Sequence, residues 1–359
     1  MPAKKTFWIE VSSPVRAESE RGIYSATYTF KELSQRGVIP SDKTKYFHQT
    51  THLRDFFWRA YWSRGDIIAA GGRAGFLRKT DAVVVFMHGW DASEAIWENL
   101  PARLCADERN LLVLVPDVNG FGRSPFLTPE NMDFDECDPA ADMRAVETWL
   151  EVLGILGGRR HVPIIFVGHS MSGAALFYFR EERWNQHPIG RCAIAPALLM
   201  NDILRKGFFS TLGVSIWAGA RLLLEKLTET ISPLVINQLI AGASKAVQAE
   251  HKRIFKQTHK STLAHTFFAM GQAKRPTHKG DWSRFKVLLG HCDRLVGLDP
   301  MLNLLVELGF RSRQVRMVLG DHYFFSVGQH SRRLHSEGRE ITLEEIRDLV
   351  SQCRKSSRS

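Results

Sequence analysis

One serine of this chain stands where a nucleophile would be made. Gly168-His169-Ser170-Met171-Ser172-Gly173 lies between an apolar run and a helix-forming stretch, the setting in which a G-x-S-x-G turn exposes a serine hydroxyl at the end of a strand. Such a turn is sharp and strained, so the positions two before and two after the serine must be small. Gly168 meets that need, whereas Ser172 departs from the pattern by one hydroxymethyl group. Alone, a serine in this place would be read as a helix N-cap; the strand before it and the helix after it favour the nucleophile.

A serine hydroxyl attacks only when a base takes its proton, and the base needs a third group to hold its tautomer. Val287-Leu288-Leu289-Gly290-His291-Cys292-Asp293 sets Asp293 just past a strand, and Val318-Leu319-Gly320-Asp321-His322 sets His322 just past the next. In isolation Asp293 would be a turn cap and His322 a core histidine; their shared position beyond strand ends makes them acid and base. Asp321, adjacent to His322, and Asp202, after the preceding strand, are rivals for the acid, with Asp293 preferred. His169 and His291 read as packing or supporting residues. Acyl transfer also needs donors aimed at the developing oxyanion. The backbone N–H of Met171 is one, and the N–H of Trp90, in Phe86-Met87-His88-Gly89-Trp90-Asp91, is the other.

The elements that must position these groups alternate. Val83 to Phe86, Leu111 to Val115, Val162 to Val167, Arg191 to Ala195, Val287 to Leu289 and Val315 to Leu319 are short runs that end in turn residues, as buried strands do. Between the second and third, Asp138-Pro139 precedes Met143, Val146, Leu150, Leu153 and Leu156, with Gly157-Gly158 as the stop: a capped helix with one apolar stripe. Ser172 to Trp184 reads as a further helix. Strand, helix, strand at these lengths implies an α/β fold with a parallel sheet and crossover helices.

From Pro196 to Lys286, about ninety residues look helical and carry no strand signal, too long for a loop. They read as a helical cap over the carboxyl ends of the strands, where an open α/β sheet places its ligand. The expected organisation is an N-terminal extension with edge strands (1–80), a first core part (81–198), the cap (199–280) and a second core part (281–359). Phe7 to Val11 and Phe56 to Trp62 read as antiparallel edge strands, the latter also passing as a helix. Near the end, Thr342-Leu343-Glu344-Glu345 forms a capping box before Ile346, Leu349 and Val350.

His88-Gly89-Trp90, the 116–124 segment Pro-Asp-Val-Asn-Gly-Phe-Gly-Arg-Ser, Gly168 to Gly173, Gly290 to Asp293 and Gly320 to His322, in that order, resemble the α/β-hydrolase family over roughly residues 80–325, cap excluded. The resemblance implies a mostly parallel central sheet of about eight strands with flanking helices, a lid, and triad members in the chain order Ser, Asp, His. Serine at position 170 separates the chain from the dehalogenases and epoxide hydrolases of that fold, which use aspartate there. The expected activity is hydrolysis of a carboxylic ester of a hydrophobic small molecule through an acyl-enzyme. A thioester, a carbon–carbon bond or perhydrolysis would use the same triad, and a binding protein on a retained hydrolase fold is the non-enzymatic alternative.

Composition narrows the rest. Hydrophobic residues make up 44% and charged residues 24% of the 359, the balance of a globular chain with a sizeable core. The net charge of +10 is dispersed rather than gathered in a patch, so no nucleic-acid partner is expected. Five cysteines, far apart and without a C-x-x-C pair, suggest neither a disulfide framework nor a zinc site. His48 and His52 have the spacing of a helical zinc motif but frame Gln49 where a base is needed and have no third ligand, so neither metal nor cofactor is expected. Glu10 interrupts the N-terminus before a signal-type apolar segment forms, and the expected compartment is the cytoplasm. The uncharged 207–220 run is too short to span a bilayer and reads as lid core. Phe208, Phe209 and Trp217 in or beside it are the candidate acyl-binding side chains. Oligomeric state is not legible.

Overall fold

The structure, a computed structural model, describes residues 16–18, 22–158, 160–198, 240, 242–272, 276, 282–327 and 332–357. The β-branched and aromatic runs form β1 (Arg16–Glu18), β2 (Ile23–Thr29), β3 (Phe57–Ser63), β4 (Ala82–Met87), β5 (Leu111–Pro116), β6 (Ile164–His169), β7 (Ile189–Ile194), β8 (Phe285–Gly290) and β9 (Val315–Val318). They make one nine-stranded sheet in the order β1-β2-β3-β5-β4-β6-β7-β8-β9. Strands β4 to β9 run parallel, while β1, β2 and β3 pair antiparallel. This is the mostly parallel sheet expected, with three-residue β1 as a ninth strand at the edge. Phe56 to Trp62, readable as strand or helix, is the strand β3, clamped between β2 and β5. Phe7 to Val11 lies outside the described residues.

Parallel strands bury both faces, which is why they read as continuous apolar runs. In β4, Val83, Val85 and Met87 face a cluster with Met143, Val146, Trp149 and Leu150 of the helix Pro139–Val152. Val84 and Phe86 face the other way, toward Leu343, Ile346, Leu349 and Val350 of the C-terminal helix. Each such side chain contributes about 1.5–3 kcal/mol by leaving water.

Three helix boundaries differ from the sequence reading. The helix that begins at Pro139, capped by the Asp138 carboxylate on Ala141 N–H at 2.7 Å, stops at Val152, short of Gly157. The segment after Ser170 is helical only over Ser170–Ala175 before two short 3₁₀ turns. Buried Glu147 draws that chain inward, accepting from Arg180 N–H at 3.1 Å and Trp184 Nε1 at 3.2 Å. The C-terminal helix runs Arg332–Ser356, so Thr342 is interior and its hydroxyl donates to the Gly338 carbonyl at 2.7 Å. Glu344 and Glu345 of the supposed capping box pair instead with Arg316 of β9.

The parallel strands bring the loops after β4, β5, β6, β8 and β9 to one edge of the sheet. Successive connections leave β4 in opposite directions, to β5 and to β6, which opens a crevice at its carboxyl end. From 199–280 the described residues supply two helices, Lys245–Gln257 and Lys260–Gln272, and no strand.

Candidate active site

Strand β6 ends at His169, and Ser170 takes a φ of 53°, a left-handed conformation costly for a residue with a Cβ. Close approach holds it there. A Cβ on Gly168 would lie 2.3 Å from the Ser172 carbonyl oxygen, and one on Gly173 would lie 3.1 Å from Pro196 Cα. The backbone thus needs glycine at 168 and is tightly packed at 173, whereas position 172 carries a side chain. The Ser172 hydroxyl donates to Asp142 Oδ2 at 2.7 Å in the crossover helix.

Asp142 is fully buried, its Oδ1 has no partner among the described residues, and burial pushes its carboxyl up to about 7. An acid whose folded pKa is raised keeps its proton when the unfolded chain has lost it, so its presence costs stability as pH rises from about 4 to about 7. Replacement by neutral Asn should therefore flatten that dependence. Urea denaturation is expected to show Asp142→Asn gaining on the wild type by up to roughly 4 kcal/mol between those limits. A constant difference across the range would show the carboxyl to be ionised in the fold.

At the ends of β8 and β9, His322 Nδ1 lies 2.8 Å from Asp293 Oδ2. The other carboxylate oxygen accepts from the N–H groups of Leu295 at 2.9 Å and Val296 at 3.1 Å, which fixes the plane of the acid. The His322 ring packs 4.6 Å from that of His169, the residue before Ser170, and His169 Nε2 donates to the His322 carbonyl at 3.1 Å. Elbow, ring and carboxylate are thereby brought together. Ser170 and His322 are each 6% exposed. Burial holds His169 well below the ordinary imidazole range, so it is neutral. Asp321 turns away, accepting from the Tyr323 N–H at 2.9 Å, and His291 lies exposed at the turn. Asp202 lies outside the described residues.

The loop after β4 meets the same point. A Cβ on Gly89 would lie 2.9 Å from Ser170 Cβ, so only glycine lets this loop, with Trp90 next in chain, pass over the serine. Met171 is the second residue of the elbow helix, so its N–H has no partner within that helix. His88, which burial pushes down to about 4, braces the loop in neutral form. Its Nε2 accepts from Val118 N–H at 2.9 Å while Nδ1 donates to the Gly89 carbonyl at 2.8 Å. Asp117 holds the neighbouring loop by accepting from the N–H groups of Glu94 at 2.7 Å and Arg123 at 2.8 Å.

Against these loops pack the helices Lys245–Gln257 and Lys260–Gln272. Phe121, Met171, Ile254, Leu263 and Met270 form one apolar cluster with Trp90 and Leu295 against it. The Trp90 indole N–H donates to Thr266 Oγ1 at 3.0 Å. The candidate acyl contacts Phe208, Phe209 and Trp217 lie outside the described residues. Sequence reasoning missed Thr266 and a second polar group, His251 with Tyr323, whose Nε2 and phenol oxygen are 2.7 Å apart. Their only local signal is the adjacency of Tyr323 to His322. His48 and His52 do not share a helix: it ends at Thr51, His48 Nδ1 donates to the Leu53 carbonyl at 2.7 Å, and His52 faces Glu136. No helix among the described residues is long and apolar enough to cross a membrane.

The family model described as alpha/beta hydrolase matches residues 84–334. A search of curated proteins finds no match to the sequence. Among solved structures, an enol-lactonase from Burkholderia xenovorans is similar at TM-score 0.53 and 15% identity, over 83% of this chain and 96% of its own. A hydrolase from Oleispira antarctica is similar at TM-score 0.53 and 16% identity, over 74% of this chain and 91% of its own. A peroxisomal alpha-beta-hydrolase from Saccharomyces cerevisiae is similar at TM-score 0.53 and 15% identity, over 84% and 82%. At these identities the likeness is one of fold.

Proposed function

The chain belongs to the alpha/beta hydrolase family, and from that premise we propose that it hydrolyses a carboxylic ester of a hydrophobic small molecule through an acyl-enzyme on Ser170. The observation that carries this reading is the 2.8 Å contact of His322 Nδ1 with Asp293, in a ring packed beside the elbow. With Nδ1–H committed to the carboxylate, the neutral ring has Nε2 free to act as base.

In the proposed reaction His322 Nε2 takes the Ser170 hydroxyl proton as Oγ bonds to the acyl carbon. The carbonyl electron pair moves to oxygen, where the N–H groups of Met171 and Trp90 receive it. Collapse breaks the carbon–oxygen ester bond, and the leaving alkoxide takes the proton from His322. Water then repeats the sequence, with His322 as base and Ser170 Oγ as leaving group. Asp293 stays ionised and supports the imidazolium in each half. Every step uses groups of this chain and water.

The apolar cluster of Phe121, Leu263 and Met270 beside the elbow supports an apolar acyl group. Phe208, Phe209 and Trp217 belong to the same proposal, as does the role of 199–280 as cap. A cytoplasmic setting is also proposed, supported by five unpaired cysteines of which four are buried.

A series of p-nitrophenyl esters from acetate to octanoate tests the substrate class. kcat/KM is expected to rise by about fourfold per added methylene until the pocket is filled, since each buried CH₂ is worth about 0.8 kcal/mol. A profile that falls from acetate onward would assign a short or polar acyl group.

A further inference from the structure

Beside the elbow lies a set of buried polar groups that the proposed reaction leaves unused. His251 of the cap helix Lys245–Gln257 is 3% exposed, and its Nε2 lies 2.7 Å from the hydroxyl of Tyr323, itself 3% exposed. The other ring nitrogen faces Asp91: it hydrogen-bonds the Asp91 backbone and lies 3.9 Å from Asp91 Oδ2. Burial keeps the phenol protonated, so Tyr323 donates to Nε2 and the Nδ1–H points to Asp91. Asp91 directly follows Trp90, and Tyr323 directly follows His322. One imidazole from the cap therefore ties the loop of the proposed oxyanion donor to the loop of the proposed base.

The arrangement has a second point of attachment and a cost. Glu250, next to His251, accepts from the Ser93 hydroxyl of the same β4 loop. The Tyr323 ring also packs 4.7 Å from His169, so the phenol is fixed against the elbow itself. Both Asp91 carboxyl oxygens are buried with no hydrogen-bond partner among the described residues, and burial raises that carboxyl well above the ordinary range. A protein that buries an unpartnered carboxyl here gives up stability, and such costs concentrate where geometry matters for function.

We propose that His251 is a positioning residue. Through Tyr323 and the Asp91 backbone it sets the distance between the oxyanion donor at Trp90 and the base His322, so that catalytic geometry is complete only when this cap helix is docked. The inference rests on the reading of Ser170 as nucleophile, and the experiment separates the two. Tyr323→Phe removes the donor and keeps the ring; His251→Asn removes the acceptor and keeps a donor near Nδ1; His251→Gln restores an acceptor near Nε2.

For each variant and for the Tyr323→Phe/His251→Asn pair, two rates are measured: inactivation by a fluorophosphonate and turnover of p-nitrophenyl butyrate. Melting temperature is followed in parallel. Tyr323→Phe and His251→Asn are each expected to lower both the inactivation rate and kcat by about tenfold, the worth of one hydrogen bond, with KM unchanged. The double variant should match the singles, because both remove one link, and His251→Gln should recover most of the rate. If His251→Asn fails to fold, Tyr323→Phe decides alone. Rates within twofold of wild type, or a loss in KM or melting temperature only, would overturn the positioning role. So would additive losses in the double variant. A wild-type protein that the fluorophosphonate does not modify would overturn the Ser170 reading itself, and the role of His251 with it.

Discussion

Replacing Ser170 by alanine is expected to abolish ester turnover, lowering kcat by at least about a thousandfold while the melting temperature stays near that of the wild type. The substitution removes one oxygen and no packed volume. Backbone contacts hold the elbow: the Ser170 carbonyl accepts from Ala197 N–H at 2.9 Å, and close packing at Gly168 and Gly173 is untouched. Without Oγ no acyl-enzyme forms, and only binding and the oxyanion donors remain to act on a water. A pre-steady-state burst that survives in Ser170→Ala would place the nucleophile elsewhere.

The second large effect is on the acid. Asp293→Asn is expected to lower kcat by about 10⁴-fold, whereas Asp321→Asn should stay within about threefold. In the first variant the amide oxygen can keep the contacts from Leu295 and Val296 N–H, so the turn survives. The amide nitrogen then faces His322 Nδ1 and favours the tautomer with Nε2 protonated, which cannot accept from serine. Among the described residues the Asp321 side chain accepts from its own turn, at Tyr323 N–H, a contact that asparagine preserves. The opposite ranking, read from kcat on one ester, would transfer the acid role to Asp321.

What the sequence displays and what it hides follow from the range of the interactions involved. Buried parallel strands are legible because every residue faces a hydrophobic neighbour, as in Val83 to Phe86 and Ile164 to Val167. Residues just past those strands inherit a common edge, so Ser170, Asp293 and His322 could be named together. Helix ends were less legible, because tertiary partners outweighed local signals. Glu344 and Glu345 answer to Arg316 on β9 rather than to the helix backbone, and Glu147 shortens the helix after Ser170 from 33 residues away. Ser172 looked like a flaw in a motif and proves to be a hydrogen-bond donor to Asp142, which only the packing of the two helices reveals. His251 and Tyr323 are 72 residues apart and belong to no motif, so nothing in their neighbourhoods links them.

The measurement closest to the central claim is reaction of the native protein with a fluorophosphonate, followed by mass spectrometry of the intact chain and its peptides. One adduct per chain is expected, on the peptide that carries Ser170, with none in Ser170→Ala and slow formation in Asp293→Asn. An adduct on a different residue, or no adduct on the folded wild type, would contradict the assignment of Ser170 as the nucleophile.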